Sequence, residues 1–344
     1  MIVRGWFAGA LCLAGALSGA AFAQGQQLTA LCSTDQGWCE LAAKEFQVQT
    51  GIKVLQVHKA TGEALAQLRA EAANPKTDIW WGGTGDPYLQ AAEVGLLDAY
   101  RPAYLNELHG WAVRQYAMSE NYVGGFYTSA IGFGWNEDVL RKKKLPAPKC
   151  WADLIDPKYK GEIETSHPGS SGTGYTILAG LVQLMGEDAA FDYLQRLHRN
   201  VTQYTRSGQA QAKSVAKGEV GIGVSFIVGF ENERVTNGFT MVKSAAPCEG
   251  TGYEIGGIAL VKGSRNREAA RRYYDFLMSS AGQSLGAKAN SLQVPANKTF
   301  KVDPRVPSIE NVRLIKYDFQ KYGKATERKR LIDKWEREVN SLPR

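Results

Sequence analysis

The amino-acid sequence predicts an α/β protein built from two lobes. Strand-like and helix-like segments alternate along most of the chain, which favours mostly parallel sheets with helices on both faces. The 344 residues are too many for one simple core. The composition also changes after an extended run that is rich in β-formers and glycine, Phe126–Asn136, so the lobe boundary is expected near Gly125–Trp135.

Residues 1–23 are predicted to be a secretory signal peptide. Arg4 supplies the positive charge, Phe7–Ala16 is apolar, and Ala21-Phe22-Ala23 is an A-x-A cleavage site. The apolar run is short and interrupted by glycine, which argues against a membrane span. We expect an exported mature protein that begins at Gln24.

The first lobe is predicted from three strand–helix repeats. The predicted segments are a strand at Leu28–Thr34, a helix that ends at Gly51, a strand at Ile52–Val57, a helix at Gly62–Ala73, a buried strand from Asp78 that enters a glycine-rich turn at Gly82–Asp86, and a helix at Pro87–Val94. In sheets of this kind, ligands collect at the carboxyl ends of the strands. The loop Thr34–Trp38 and the turn Gly82–Asp86 both fall at such ends.

The second half repeats the alternation. Its predicted segments are a helix at Glu187–Leu197, a helix at Gln209–Lys217, strands at Gly221–Val228 and Phe239–Lys243, a glycine-rich loop and strand at Cys248–Gly263, a helix at Arg267–Ser279, and a charged C-terminal helix at Lys324–Val339.

The stretch Ser166–Tyr175 has the pattern of an anion-binding helix N-terminus. Pro168 and Gly169 break regular structure, and an apolar helical pattern begins a few residues later. A helix start carries unsatisfied N–H groups and partial positive charge, so a small anion can dock there with hydroxyl groups as further partners. The alternative is that Ser170, Ser171 and Thr173 only cap their own helix.

The charge and cysteine content narrow the function classes. The net charge of +7 is concentrated between Arg313 and Arg344, where ten basic residues face five acidic ones, so no nucleic-acid partner is expected. Four cysteines follow the signal peptide, and their even number in an exported chain favours disulfides over a zinc site. Cys32 with Cys39 and Cys150 with Cys248 is one of three possible pairings.

Several motifs, taken in order, resemble one known family. They are Trp80–Tyr88, Cys150–Gly161, Ser170–Tyr175, Gly218–Val220 and Lys262–Asn266. The chain resembles the extracytoplasmic solute-binding proteins of ABC importers, in the branch of ferric-ion, phosphonate and sugar-phosphate binders. The resemblance implies a type II periplasmic-binding-protein fold, in which two lobes are joined by crossing strands and close on a ligand. Phe126–Asn136 and Tyr253–Leu260 would be the crossings.

The same resemblance implies a domain layout and partners. Lobe 1 would comprise residues 24–128 and 256–300, lobe 2 residues 129–255, and residues 301–344 would form a helical segment packed on the lobes. We expect a monomeric periplasmic protein that delivers a small anionic ligand to a membrane permease, with no cofactor. A sensor subunit that presents its ligand to a membrane kinase is an alternative with the same fold.

Closure of the lobes would bring residues from both around one ligand. The expected ligand-binding residues are Thr34, Asp35, Thr84, Asp86, Ser170, Ser171, Gly172, Thr173, Arg206, Ser207, Phe226 and Glu249. Glu249, Glu254 or Asp86 would bind a hydroxyl or amine of the ligand. The sequence does not decide which of these acidic residues faces the cleft.

The ligand class follows from two departures from the family pattern. Ferric binders carry adjacent tyrosines after the strand that contains Val224, but the only adjacent pair here, Tyr273-Tyr274, lies on a predicted amphipathic helix. Sugar-phosphate binders tend to carry a His-Asp pair where this chain has Val228-Gly229. These departures disfavour a phenolate iron site and recognition of sugar hydroxyls by a His-Asp pair. The loops rich in serine, threonine and glycine, together with Arg206, suit a phosphate, phosphonate or carboxylate group, so we expect a small organic anion, with ferric iron as the alternative. An enzyme is not expected, because no Gly-x-Ser-x-Gly nucleophile motif occurs.

Overall fold

A mixed β-sheet runs through the computed structural model, which describes residues 26–344. The predicted signal peptide lies outside the described residues. The strands are β1 Gln27–Cys32, β2 Lys53–His58, β3 Ile79–Thr84, β4 Leu97–Asp98, β5 Gly124–Asn136, β6 Ile163–Ser166, β7 Val201–Thr205, β8 Ile222–Phe226, β9 Val242–Ala245, β10 Tyr253–Val261 and β11 Val294–Pro295. Their order is β2-β1-β3-β10-β5-β8-β6-β7, with β4 on β10 and with β9 and β11 on β5.

The long strand β5 belongs to both halves of this sheet. Its first part, up to Ala130, pairs antiparallel with β10 and β11, and its second part, from Ile131, pairs antiparallel with β8 and β9. The outer strands of each half pair in parallel. We call the half built on β1–β4 lobe 1 and the half built on β6–β9 lobe 2.

Helices cover both halves of the sheet. They are α1 Gln36–Thr50, α2 Thr61–Ala70, α3 Asp86–Glu93, α4 Gly110–Met118, α5 Glu137–Lys143, α6 Gly172–Met185, α7 Glu187–His198, α8 Ala210–Lys217, α9 Ile227–Glu231, α10 Arg267–Met278, α11 Ser280–Lys288, α12 Phe319–Tyr322 and α13 Ala325–Trp335. In the described part of the chain, none of these helices combines the length and apolar character needed to cross a membrane.

Each lobe has its own buried core. In lobe 1, buried residues such as Trp81, Phe126 and Tyr273 pack between the sheet and helices α1, α4 and α10. In lobe 2, the core gathers side chains of α6, α7 and the C-terminal α13, including Trp335. The C-terminal segment is therefore part of the lobe 2 core.

Two disulfides connect the four cysteines. Cys32 and Cys39 join the end of β1 to the first turn of α1, and Cys150 and Cys248 join segments that are 98 residues apart. The first disulfide encloses the loop after β1, so it restricts the conformations of this loop.

Several element boundaries differ from the sequence prediction. The glycine-rich stretch predicted as a turn continues strand β3 to Thr84, and α3 begins at Asp86. Gly82 and Gly83 have φ angles of 77° and 72°, which favour glycine. Two tyrosines support this strand end, because Tyr88 donates to the carbonyl of Gly82 and the amide of Gly83 donates to Tyr127. The predicted strand through Val228 ends at Phe226, where α9 begins, and the predicted C-terminal helix changes to a π-helical turn after Trp335.

Candidate functional site

A cavity of about 230 Å³ lies between the two lobes. Lobe 1 contributes the ends of β1, β2 and β3 and the start of α2, whereas lobe 2 contributes the starts of α6 and α8 and the end of β8. The strand β10, which pairs with the first part of β5, closes one side. The site therefore lies at strand ends and helix starts, where backbone groups are free to bind a ligand.

The first wall, which we call the amide wall, consists of residues 171–173 and 207–209. Ser171 is the N-cap of α6, and its hydroxyl accepts a hydrogen bond from the amide of Gly174 at 3.4 Å. Within residues 26–344, the amides of Gly172 and Thr173 have no hydrogen-bond acceptor. They and the α6 dipole therefore offer donors and partial positive charge to an anion.

The second part of the amide wall is the loop before α8. The amide of Gln209 donates to the hydroxyl of Ser207, and the carbonyl of Gly208 accepts from Ser225. A Cβ at Gly208 would lie 1.9 Å from Oγ1 of Thr173, so only glycine lets this loop pack on the start of α6. Arg206 lines the cavity with an exposed side chain.

The opposite wall, which we call the carboxylate wall, consists of Asp35 and Glu254. Glu254 is 4% exposed, lines the cavity from β10, and its carboxylate has no hydrogen-bond partner in residues 26–344. Burial raises the pKa of Glu254 well above its usual value, and the negative charges of Asp86 and Asp35 raise it further. A ligand group that donates a hydrogen bond would satisfy this carboxylate.

Asp35 connects the two walls directly. It accepts a hydrogen bond from Ser291, and a second one of 2.7 Å from Nε2 of Gln209 on the amide wall. Burial raises the pKa of Asp35, whereas the hydrogen bond from Ser291 lowers it. Because Gln209 belongs to lobe 2, the bond crosses the cleft.

The two lobes also approach each other closely next to the cavity, at two glycine residues. A Cβ at Gly172 would lie 1.8 Å from Oγ1 of Thr84 and 2.3 Å from Oγ1 of Thr61. A Cβ at Gly62 would lie 2.6 Å from the carbonyl oxygen of Ser170. The structure therefore has the cleft closed, and the fit depends on glycine at both contacts.

The structure places most of the expected ligand-binding residues on the cavity. Those that line it are Asp35, Thr84, Ser171, Gly172, Thr173, Arg206, Ser207 and Phe226. Thr34 is buried beneath it, and the backbone carbonyl of Thr34 accepts a hydrogen bond from His58. The hydroxyl of Ser170 donates to the carbonyl of Arg206.

Two of the acidic candidates lie away from the cavity. Glu249 accepts hydrogen bonds from the amides of Trp151 and Ala152, at 2.8 and 3.0 Å, and so holds a helical turn next to a disulfide. Asp86 is buried at the start of α3, where it accepts from Tyr317. Of the three acidic residues considered for a hydroxyl or amine, Glu254 is the one that lines the cavity.

Sequence reasoning missed several polar residues of the cavity. They are His58, Thr61, Tyr127, Gln209, Ser225, Asn232 and Gln293. Tyr127 lies within the predicted crossing strand, where an aromatic residue is typical of a core. Tyr127 and Ser129 are two residues apart in a strand, so their side chains lie on the same face. The polar Ser129 was therefore a weak signal that this face is not purely apolar.

The tyrosine pair considered for iron lies in the core of lobe 1. Tyr273 and Tyr274 are buried in α10, and the hydroxyl of Tyr274 is 2.6 Å from that of Tyr116. Val228 and Gly229 line the cavity at the position where we aligned the His-Asp pair.

Comparisons with known proteins agree with this architecture. The sequence pattern of the family described as bacterial extracellular solute-binding protein matches residues 74–321. An uncharacterised protein of Haemophilus influenzae is 41% identical over 326 residues, which cover 94% of this chain and 93% of that protein. A putative 2-aminoethylphosphonate-binding periplasmic protein of Salmonella paratyphi A is 26% identical over 78% of each chain.

A solved structure shares the fold over almost the whole chain. The periplasmic binding protein AfuA from Actinobacillus pleuropneumoniae, with exogenous fructose-6-phosphate bound, superposes with a TM-score of 0.88. It is 39% identical, and the match covers 92% of this chain and 99% of AfuA. The two-lobed α/β fold, the cleft between its lobes and the family match lead to one conclusion: this chain belongs to the bacterial extracellular solute-binding proteins, the periplasmic binding proteins of ABC transport.

Proposed function

We propose that this protein captures a small organic anion with a phosphate or phosphonate group and delivers it to an ABC importer. One observation carries the proposal: the cavity has free amides on one wall and, on the other, the buried carboxylate of Glu254, which has no hydrogen-bond partner in residues 26–344. The amide wall would hold the anionic group, because the amides of Gly172 and Thr173 at the start of α6 have no hydrogen-bond acceptor in residues 26–344. Glu254 would accept a hydrogen bond from a hydroxyl or ammonium group at the other end of the ligand.

Two relatives support this ligand class. AfuA binds fructose-6-phosphate, which carries a phosphate at one end and hydroxyl groups along the rest. The Salmonella relative is described as binding 2-aminoethylphosphonate, which carries a phosphonate and an amine. Both ligands have an anionic group, which would suit the amide wall, and hydrogen-bond donors, which would suit the carboxylate wall.

A carboxylate ligand would use the same amides, but it offers fewer acceptor oxygens than a phosphate. Hard ferric iron prefers several anionic oxygen ligands. Of the tyrosines in residues 26–344, Tyr127 lines the cavity, and its hydroxyl oxygen already accepts a hydrogen bond from the amide of Gly83. The cavity therefore favours an organic anion over ferric iron.

Isothermal titration calorimetry tests the proposal. The mature protein is unfolded and refolded to remove any retained ligand, then titrated with glucose 6-phosphate, 2-aminoethylphosphonate, glucose and ferric citrate. We expect at least one of the first two to bind and glucose to bind at least about 100-fold more weakly than its phosphate, because the charged head group makes several charge-assisted hydrogen bonds. Tight ferric binding without binding of any phosphorus compound would overturn the proposal.

Native mass spectrometry of protein isolated from its own periplasm provides the second test. Release of a phosphorylated compound on mild denaturation would support the proposal and identify the transported solute. Release of iron would contradict it. Co-purification with a membrane permease, as opposed to a membrane kinase, would separate the importer role from the sensor alternative.

A further inference from the structure

A buried arginine lies directly behind the amide wall. Arg328 on α13 is 6% exposed, and its Nη2 donates hydrogen bonds of 3.2 Å to the carbonyls of Pro168 and Gly169. These carbonyls belong to the loop that leads into α6, only a few residues before the free amides of Gly172 and Thr173. The contact therefore joins the C-terminal helix to the backbone of the proposed anion site.

The same guanidinium also contacts the first turn of α6. It lies 4.6 Å from the ring centroid of Tyr175, at a distance suited to a cation–π interaction. The Tyr175 hydroxyl donates a 2.6 Å hydrogen bond to the carbonyl of Tyr322 in the C-terminal segment. The loop before α6 and the start of α6 are thus both held from the side opposite the cavity.

Geometry explains what this support does for the loop. The carbonyls of Pro168 and Gly169 share planar peptide units with the amides of Gly169 and Ser170, so fixing the two carbonyls fixes the orientation of these units, which lead into the free amides of Gly172 and Thr173. Two neighbouring carbonyls bound by one rigid guanidinium leave little freedom to the loop. An unsupported loop next to two glycines, Gly169 and Gly172, would have many more conformations to lose on binding.

The C-terminal segment also contacts lobe 1. Tyr317 donates to Asp86 at the start of α3, at 3.4 Å, and the amide of Ala325 donates to the carboxylate of Glu93 at 2.8 Å. Burial lowers the pKa of Arg328, and the negative charge of Asp86 in lobe 1 raises it in part. The support behind the amide wall is therefore linked to the position of lobe 1.

We propose that Arg328 is a positioning residue for anion binding: it holds the loop 167–171 so that the amides of Gly172 and Thr173 face the cavity. The inference rests on the proposed function, because it assigns the support of the same anion site. Arg328 itself would not touch the ligand, since it lies behind the loop.

Four variants separate positioning from stability. Arg328→Gln removes the charge and the guanidinium, whereas Arg328→Lys keeps the charge but replaces the planar guanidinium, whose Nη2 donates both hydrogen bonds, by an ammonium group. Arg330→Gln is the matched control, because Arg330 lies on the same helix, is exposed, and pairs with Glu187 and Glu327. Leu331→Ala is the stability control, because Leu331 is fully buried in α13 and does not contact the loop through a polar group.

The readouts are the Kd for glucose 6-phosphate, measured well below the melting temperature, and hydrogen exchange of the amides of Ser171 and Tyr175. We expect Arg328→Gln to raise Kd about tenfold or more and to speed exchange at both amides, because two carbonyls lose a charged donor. Arg328→Lys should recover part of the affinity. Arg330→Gln should leave both readouts unchanged, and Leu331→Ala should lower the melting temperature without raising Kd.

Unchanged Kd and unchanged exchange in Arg328→Gln would overturn the inference, and so would an equal rise of Kd in Leu331→Ala. If Arg328→Gln does not fold, Arg328→Lys takes its place, and wild-type values for this variant would refute the inference. If the wild-type protein binds neither glucose 6-phosphate nor 2-aminoethylphosphonate, the proposed function fails, while hydrogen exchange at Ser171 and Tyr175 still decides whether Arg328 holds the loop; if only 2-aminoethylphosphonate binds, its Kd replaces that of glucose 6-phosphate as the readout.

Discussion

The two walls of the cavity are built in different ways. The amide wall consists of short consecutive segments at the starts of α6 and α8, and the backbone amides of Gly172 and Thr173 are its free donors in residues 26–344. The carboxylate wall consists of two side chains that are far apart in the sequence, Asp35 after β1 and Glu254 on β10. One wall follows from local structure, whereas the other exists only because distant strands lie side by side.

This difference assigns separate tasks to the walls. Backbone amides at helix starts recognise negative charge and vary little with side-chain identity. Buried carboxylates select for ligand groups that can donate a hydrogen bond. A buried carboxylate without such a donor costs free energy. We therefore expect the amide wall to set the affinity for the anionic group and the carboxylate wall to choose among anions.

The largest expected effect concerns the cost of burying acidic groups on the lobe 1 side. Burial raises the pKa of Asp86 to about 6 from 3.8, although Arg328 and Tyr317 lower it in part. Since the folded pKa is raised, the stabilisation from protonated Asp86 is complete below about pH 4 and is lost as pH rises to about 6. Wild type should lose about 3 kcal/mol more of its unfolding free energy than Asp86→Asn over this range.

Urea unfolding at several pH values measures this difference. Acidic residues with lowered pKa, such as Glu187 at about 2, act in the opposite sense at lower pH, but they are common to both proteins. Parallel pH profiles of the two proteins would contradict the prediction.

The next effect tests whether the two walls must meet. Gly172→Ala would place a methyl group 1.8 Å from the Thr84 hydroxyl oxygen, so the lobes could not close as they do here. We expect glucose 6-phosphate to bind about 100-fold more weakly, because closure would have to relieve an overpacked contact. Calorimetry measures the affinity, and small-angle scattering with ligand should show a more open protein.

Gly180→Ala is the control for this prediction. Gly180 lies in the same helix, where an added Cβ meets its nearest atom at an ordinary 3.5 Å. Wild-type affinity in Gly172→Ala would show that closure at this contact is not needed for binding.

A smaller effect is expected from the hydroxyl groups of the amide wall. Ser171→Ala with Thr173→Ala should weaken glucose 6-phosphate and inorganic phosphate by a similar factor of about ten, since both ligands present phosphate oxygens. Loss of the Ser171 N-cap should also cost about 1 kcal/mol of stability. Equal affinity in the double variant would mean that these hydroxyls only cap their helix.

The smallest effect distinguishes the carboxylate wall from the amide wall. Glu254→Gln should weaken glucose 6-phosphate by a factor of about three to ten and leave inorganic phosphate unchanged, because inorganic phosphate does not reach across the cavity. Comparison of 2-aminoethylphosphonate with ethylphosphonate adds a second readout, since an ammonium group gains more from a charged partner than a hydroxyl does. An equal loss for all four ligands would show that Glu254 supports the cavity without choosing its ligand.

Fold prediction from the sequence succeeded where the signal was local. Alternating strands and helices predicted the α/β class, and the motif Ser166–Tyr175 predicted a helix start in the segment where α6 begins, at Gly172. The glycine-rich end of β3 was wrongly predicted as a turn. Its extended backbone is held by hydrogen bonds with Tyr88 and Tyr127, and these contacts form only in the folded protein. The predicted lobe boundaries remain predictions, and so do the ligand-binding roles, which the experiments above address.

The sequence by itself determined the α/β class and the segments whose helix starts form the amide wall, since these depend on periodicity and on consecutive residues, and its motifs resemble the family that the comparisons show. Only the tertiary structure decided which carboxylate faces the cavity and that Arg328 supports the loop behind it. The cause is physical: free amides at a helix start follow from the local hydrogen-bond pattern, whereas the convergence of Asp35, Gln209 and Glu254 depends on how β1, α8 and β10 pack. No short stretch of the chain records that packing.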